Sequence, residues 1–134
     1  MNDGKPTYAY NFLGLKTTKV VATEALPAGK ATIRFEFDYD GPGVGKGGTG
    51  KILVNGKQVA VGKIDRTQGN FFSADEGADV GQDGETPVSD DYDEVDNQFT
   101  GKIKEVVIEV GAMKLAAAER DALRKTKIAL KLAE

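Results

Sequence analysis

The 134-residue chain contains no cysteine, no histidine and no tryptophan. The missing cysteine excludes disulfides and thiol nucleophiles. With histidine absent as well, a Ser-His-Asp triad and a tetrahedral zinc site are excluded too. Only hard, oxygen-ligated cations such as calcium or magnesium remain open as metal partners. No run of about 18 apolar residues occurs, so no membrane span is expected. The polar residues 1–5 are not followed by the apolar core of a secretory signal. The length suits one domain, too short for a catalytic domain plus a second module.

What is present in excess is acid, in one place. The net charge of −3 divides unevenly: residues 75–96 hold ten acids and no base, leaving eleven acids against all 18 bases, a net of +7 elsewhere. The acids of this segment are Asp75, Glu76, Asp79, Asp83, Glu85, Asp90, Asp91, Asp93, Glu94 and Asp96. Like charges at such density repel, and either a bound cation or pairing with the basic remainder would relieve them.

From residue 5 to about 110 the dominant hydropathy period is two. Ala31, Ile33, Phe35, Phe37 and Tyr39 share one face while Thr32, Arg34, Glu36 and Asp38 share the other, the pattern of a strand with one buried and one wetted face. Asn55-Gly56 joins two short apolar runs, 51–54 and 57–61, as a hairpin, because this dipeptide supplies the two positive φ angles of a type I′ turn. Further strands are expected at 7–13, 16–22, around 70–73 and at 101–110. Six or more short strands at this spacing imply a mainly β chain, a two-sheet antiparallel β-sandwich of jelly-roll or concanavalin-like form. That domain would run over 1–111. Residues 112–134, rich in Ala and Leu and free of Gly and Pro, are expected to form one C-terminal helix packed on the sandwich or on a partner. Met113, Ala116, Ala117, Leu123, Ile128 and Leu130 would form its narrow apolar stripe.

Four features suggest chemistry, and each has a simpler explanation. Gly43-Val44-Gly45-Lys46-Gly47-Gly48 matches GxGxxG, but a dinucleotide site needs those glycines to open a helix, and here they lead into the 51–54 strand. The segment therefore reads as a glycine-rich crossing between strands. The basic residues are spread along strands and the last helix without interleaved aromatics, so no nucleic-acid partner is expected. Tyr8, Tyr10, Phe12, Phe35, Phe37 and Phe99 fall mostly at inward strand positions and read as core rather than as sugar platforms. The acidic segment is not an EF-hand, whose acids alternate and close on a Glu at the twelfth position. Its Asp75, Glu76, Asp79 and Asp83, punctuated by Gly77, Gly81 and Gly84, could still converge on a structural calcium. The simpler reading is a solvated loop paired with Lys and Arg.

Several stretches, taken in order, resemble the C-terminal β-rich region of bacterial arylsulfatases of the alkaline-phosphatase-like sulfatase superfamily. They are Lys5-Pro6-Thr7-Tyr8-Ala9-Tyr10-Asn11-Phe12, Leu26-Pro27-Ala28-Gly29-Lys30-Ala31-Thr32-Ile33-Arg34, Gly45-Lys46-Gly47-Gly48-Thr49-Gly50 leading to Val54-Asn55-Gly56, Phe72 through Gly81 with Thr86-Pro87-Val88, and Phe99-Thr100-Gly101-Lys102-Ile103. The likeness spans nearly the whole chain. That family cleaves sulfate esters with a formylglycine made in a Cys/Ser-x-Pro-x-Arg motif, and Pro6, Pro27, Pro42 and Pro87 all lack the required neighbours. The resemblance thus implies a non-catalytic accessory domain without the sulfatase's own catalytic or calcium residues. Its partner would be a sulfatase catalytic domain, or a second copy met through the C-terminal helix, in a periplasmic or secreted setting. The alternative is a free-standing carbohydrate-binding module, calcium-dependent or not.

Overall fold

The computed structural model describes residues 1–69, 77–84 and 86–111, together with 117, 118, 120–122, 124 and 125. Among the described residues five strands form in chain order: β1 Thr7–Phe12, β2 Lys16–Val21, β3 Ile33–Tyr39, β4 Gly48–Val54 and β5 Lys57–Ile64. They make two antiparallel sheets, a β1-β2 hairpin and a three-stranded sheet in the order β3-β4-β5. The chain is therefore mainly β.

Both hairpins follow from local chemistry. β4 turns into β5 at Asn55-Gly56, with φ of 50° and 83°, and Val54 faces Lys57 across a two-residue loop. Asn55 also closes the neighbouring strand entrance: its amide donates to the Thr32 carbonyl, and its Oδ1 accepts from the Thr32 amide, both at 2.9 Å. Beyond the turn the register slips between Ile52 and Leu53, leaving Val59 as the extra residue of a bulge. The freed Val59 carbonyl accepts from the Thr23 amide at 3.4 Å, a bond that carries the chain from β2 across to β5. The first hairpin turns at Leu13, Gly14 and Leu15. Leu13 stands at φ 54° and so ends β1 one residue short of the 7–13 expectation.

The inner face of the larger sheet has a floor of glycine. Across β3, β4 and β5 the rows read Phe35–Ile52–Ala60, Phe37–Gly50–Gly62 and Tyr39–Gly48–Ile64. With no side chain at Gly48 and Gly50, the rings of β3 lean onto the neighbouring backbone. The Phe35 ring covers Gly50, where an added Cβ would come within 2.9 Å of it, and the Phe37 ring covers Gly48 in the same way. The flattened Phe35 ring then offers its face to Tyr8 of β1, stacked at 3.7 Å between centroids and 9° between planes. The third glycine, Gly62, takes Val20 of β2: a Cβ there would stand 2.7 Å from Val20 Cγ2. These two contacts seat the β1-β2 hairpin on the larger sheet. The fully buried apolar residues, Val20, Ala22, Ile52 and Ile64, lie between them.

Two expectations need correction. The aromatic residues taken as core are half-buried instead, and Phe37 and Phe99 are 36% and 39% exposed. The buried positions are held by aliphatic side chains, Val20, Ala22, Ile52 and Ile64, while the rings lie over the glycine floor with part of their surface open. Residues 101–110 are not a strand: outside the named strands they make no backbone hydrogen bond among the described residues. Their alternation records a propensity, but a strand also needs a partner edge, and none is engaged. The 70–73 strand lies outside the described residues. Of the C-terminal helix, the described residues 117, 118, 120–122, 124 and 125 are helical and exposed, Ala117 included. The rest of its stripe lies outside the described residues.

The glycine floor yields a signed prediction. Replacing a strand glycine with alanine ordinarily helps by roughly 0.5–1 kcal/mol, but Gly50→Ala must push the Phe35 ring off its seat and loosen the Tyr8 stack. We expect Gly50→Ala to lose about 1–3 kcal/mol in urea unfolding, whereas Gly77→Ala, with open space around the site, should change stability by less than about 0.5 kcal/mol.

Candidate functional site: the acidic strap

The segment singled out by its charge folds back on itself through neutral groups. Asn97 is the knot. Its Oδ1 accepts from the Asp83 amide at 3.0 Å, and its Nδ2 donates to the carbonyls of Asp83 at 2.8 Å, Asp93 at 3.1 Å and Glu94 at 3.3 Å. One planar amide thus ties together positions fourteen, four and three residues upstream. Asp96, at φ 62°, turns the chain into this position, a conformation that Asp tolerates better than most residues. Tyr92 closes the other side: its hydroxyl donates to Asp83 Oδ2 and accepts from the Val88 amide at 3.0 Å. Burial, followed by the bond to the Asp83 carboxylate, holds the Tyr92 phenol above its ordinary pKa. Asp79 Oδ2 accepts from the Gly84 amide at 2.9 Å, a short side-chain turn within the strap. The Phe99 amide donates to the Gly81 carbonyl at 2.7 Å and brings the strap's end back to its start.

Among the described residues, one ion pair fastens this strap to the sheets. Lys19 Nζ of β2 meets Asp91 Oδ1 at 2.7 Å at the protein surface. Asp91 Oδ2 accepts from Ser89 Oγ at 3.2 Å, and Ser89 is 5% exposed, the only buried polar residue among the described ones. The hydrogen bond from Lys19 is the chief cause that holds the Asp91 carboxyl below its ordinary range.

The four residues expected to converge on a cation are thus placed as follows. Asp75 and Glu76 lie outside the described residues. Asp79 and Asp83 are described, and each uses a carboxylate oxygen within the strap, on Gly84 and Tyr92 respectively. Among the described residues no group of three or more acids is arranged to hold a metal ion. The relief of the acidic charge that can be seen comes from Lys19 on Asp91, the pairing alternative. Asn97, Tyr92, Ser89 and Lys19 escaped the sequence reading. Tyr92 carries some signal as an aromatic inside an acidic run, but Asn97 carries none, since its partners are backbone carbonyls.

The GxGxxG stretch enters β4, as expected of a crossing. The Tyr39 hydroxyl donates to the Gly43 carbonyl and accepts from the Lys46 amide at 2.9 Å, pinning the loop from both ends. Gly47 passes against the backbone carbonyls of Ile64 and Asp65, where no side chain would fit. Nearby, the Arg66 guanidinium lies 4.6 Å above the Phe12 ring and Lys16 pairs with Asp65 at 2.5 Å. A shallow groove of about 510 Å³ runs beside the strap, lined by Val80, Gly81, Phe99, Ile103 and Val106 with Lys104 and Glu105 at its rim. No helix of the described residues is long and apolar enough to cross a membrane.

No protein-family model, no curated protein and no solved structure matches this chain.

Two consequences follow for the strap. Asn97→Ala removes a donor to three carbonyls, and we expect a loss of about 1–3 kcal/mol with faster hydrogen exchange at the Asp83 amide, out of proportion to any change at the Ile52 amide of β4. The Lys19–Asp91 pair sets a pH dependence. Asp91 has a lowered pKa in the folded state, so its contribution is complete above the unfolded value near 3.8 and disappears as pH falls through the lower folded value. Acid titration followed by circular dichroism should therefore show a shallower acid limb for Asp91→Asn than for the parent chain, with the two curves parallel above about pH 5.

Proposed function

We propose that this chain is a non-catalytic accessory domain that works by scaffolding, in the manner implied by its resemblance to the C-terminal domain of bacterial arylsulfatases. On this reading the two sheets belong to a β-sandwich of jelly-roll or concanavalin-like form. The observation that supports it best is what the acidic strap does with its polar groups. Tyr92 and Asn97 both bond to Asp83, Asp79 accepts from the Gly84 amide, and Asp91 reaches β2. These residues build a shape. The stretches that carry the resemblance have the same character: Gly47, Gly48 and Gly50 admit neighbouring backbone and rings, Asn55-Gly56 makes the turn, and Phe99 closes the strap on Gly81. A pattern shared for these reasons is shared for fold, which is what an accessory domain retains apart from a catalytic half.

The domain would pack against a sulfatase catalytic domain and shape the approach to its active site. The test is titration calorimetry of the purified chain against the catalytic domain of a bacterial arylsulfatase stripped of its own C-terminal region. We expect saturable 1:1 binding and a raised melting temperature of the catalytic domain, since a partner that binds only the native state stabilises it. A folded chain that gives neither heat nor stabilisation would contradict the docking role. Running calcium and a glycan panel in the same thermal-shift format separates the carbohydrate-binding alternative, which requires a ligand-dependent rise of this chain's own melting temperature.

A further inference from the structure

Residues 103–110 read Ile-Lys-Glu-Val-Val-Ile-Glu-Val, a run dense in β-branched side chains. Ile103 is 43% exposed, and Val106, Val107, Ile108 and Val110 are 56%, 68%, 81% and 88% exposed. Apolar side chains are therefore bare on both faces of the segment, and its backbone has no partner among the described residues. Ile103 lies against Gly81 of the strap, and the ion pair of Glu109 with Arg34 at 3.5 Å lays the segment beside β3 without a ladder among the described residues. An extended, unpaired, apolar stretch of this kind is a template for strand pairing.

From its charge pattern we infer that residues 103–110 pair antiparallel with the same residues of a second copy, forming a two-fold symmetric dimer. A two-fold axis between Val106 and Val107 sets Ile103 opposite Val110, Lys104 opposite Glu109, Glu105 opposite Ile108 and Val106 opposite Val107. Every pair occurs twice, as an isologous interface demands. The register brings two Lys-Glu pairs and the apolar centre into directly opposed positions, where cross-strand pairs stabilise a sheet. Slipping by one residue in one direction sets Glu105 against Glu109, and in the other sets Lys104 against Ile108 with no ion pair. Charge thus favours this register over those one residue away on either side. The pairing needs no sulfatase, so its outcome and that of the docking role are independent.

The experiment is sedimentation velocity on the full chain across a concentration series, with two exposed charge variants. The parent should show a concentration-dependent monomer–dimer equilibrium. Lys104→Glu puts Glu against Glu109 twice, and Glu109→Lys puts Lys against Lys104 twice, so each variant should weaken the dimer by at least about tenfold. An equimolar mixture of the two restores both Lys-Glu pairs, and a heterodimer should form with an affinity close to the parent's. Far-UV circular dichroism and melting temperature of each variant, expected to match the parent, show that the fold is retained. A parent that stays monomeric, variants that dimerise as well as the parent, or a mixture that gives no heterodimer would each overturn the proposal. Retained dimerisation in both variants would instead point to pairing through another part of the chain.

Discussion

The structure depends on aromatic rings lying on glycine. Three glycines on the inner face of the larger sheet, Gly48, Gly50 and Gly62, leave a floor without side chains, and each is occupied by a neighbour: Phe37, Phe35 and Val20 in turn. Strand glycines ordinarily weaken a sheet, since they lose the most conformational freedom and offer nothing to pack. Here the rings of β3 supply the missing surface, and the flattened Phe35 becomes the platform on which Tyr8 stacks. The β1-β2 hairpin is seated by that stack and by Val20. It carries Lys19, the residue that fastens the acidic strap. The strap's position is thus downstream of the glycine floor, and its shape is set separately by Asn97 and Tyr92.

This arrangement explains how a chain of nearly balanced charge tolerates ten acids within 22 residues. Surface ion pairs contribute little individually, and only one ties the described strap to the sheets. The greater part of its order comes from amide and hydroxyl bonds to the backbone, which do not depend on neutralising charge. Asn97 alone satisfies one amide and three carbonyls that would otherwise face solvent. The acidic surface is therefore carried by a loop folded for other reasons.

Much of the fold was legible in the sequence, and what was hidden is instructive. Asn55-Gly56 announced its turn because the dipeptide has one conformational use between apolar runs. The alternation of β3 was clear, and so was the failure of Gly43 through Gly48 to open a helix. The burial of the rings was misjudged because period two reports a face, not what covers it. The Phe37 and Phe35 rings lie over Gly48 and Gly50, an arrangement visible only once the cross-strand register is known. Residues 101–110 have the composition of a strand but no edge to join within the described chain, and pairing is a property of two segments. In the strap, the carboxylates drew attention as metal ligands, while the group that organises them, the Asn97 amide, speaks only to backbone and leaves no motif.

The most direct measurement of the central claim is the proton NMR spectrum of the glycines. A ring lying flat over a backbone shifts the protons beneath it, so the Hα resonances of Gly48 and Gly50 should move well upfield of other strand glycines and show strong nuclear Overhauser contacts to the Phe37 and Phe35 ring protons respectively. Unshifted glycine resonances without those contacts would contradict the account and, with it, the seating of the hairpin and the strap.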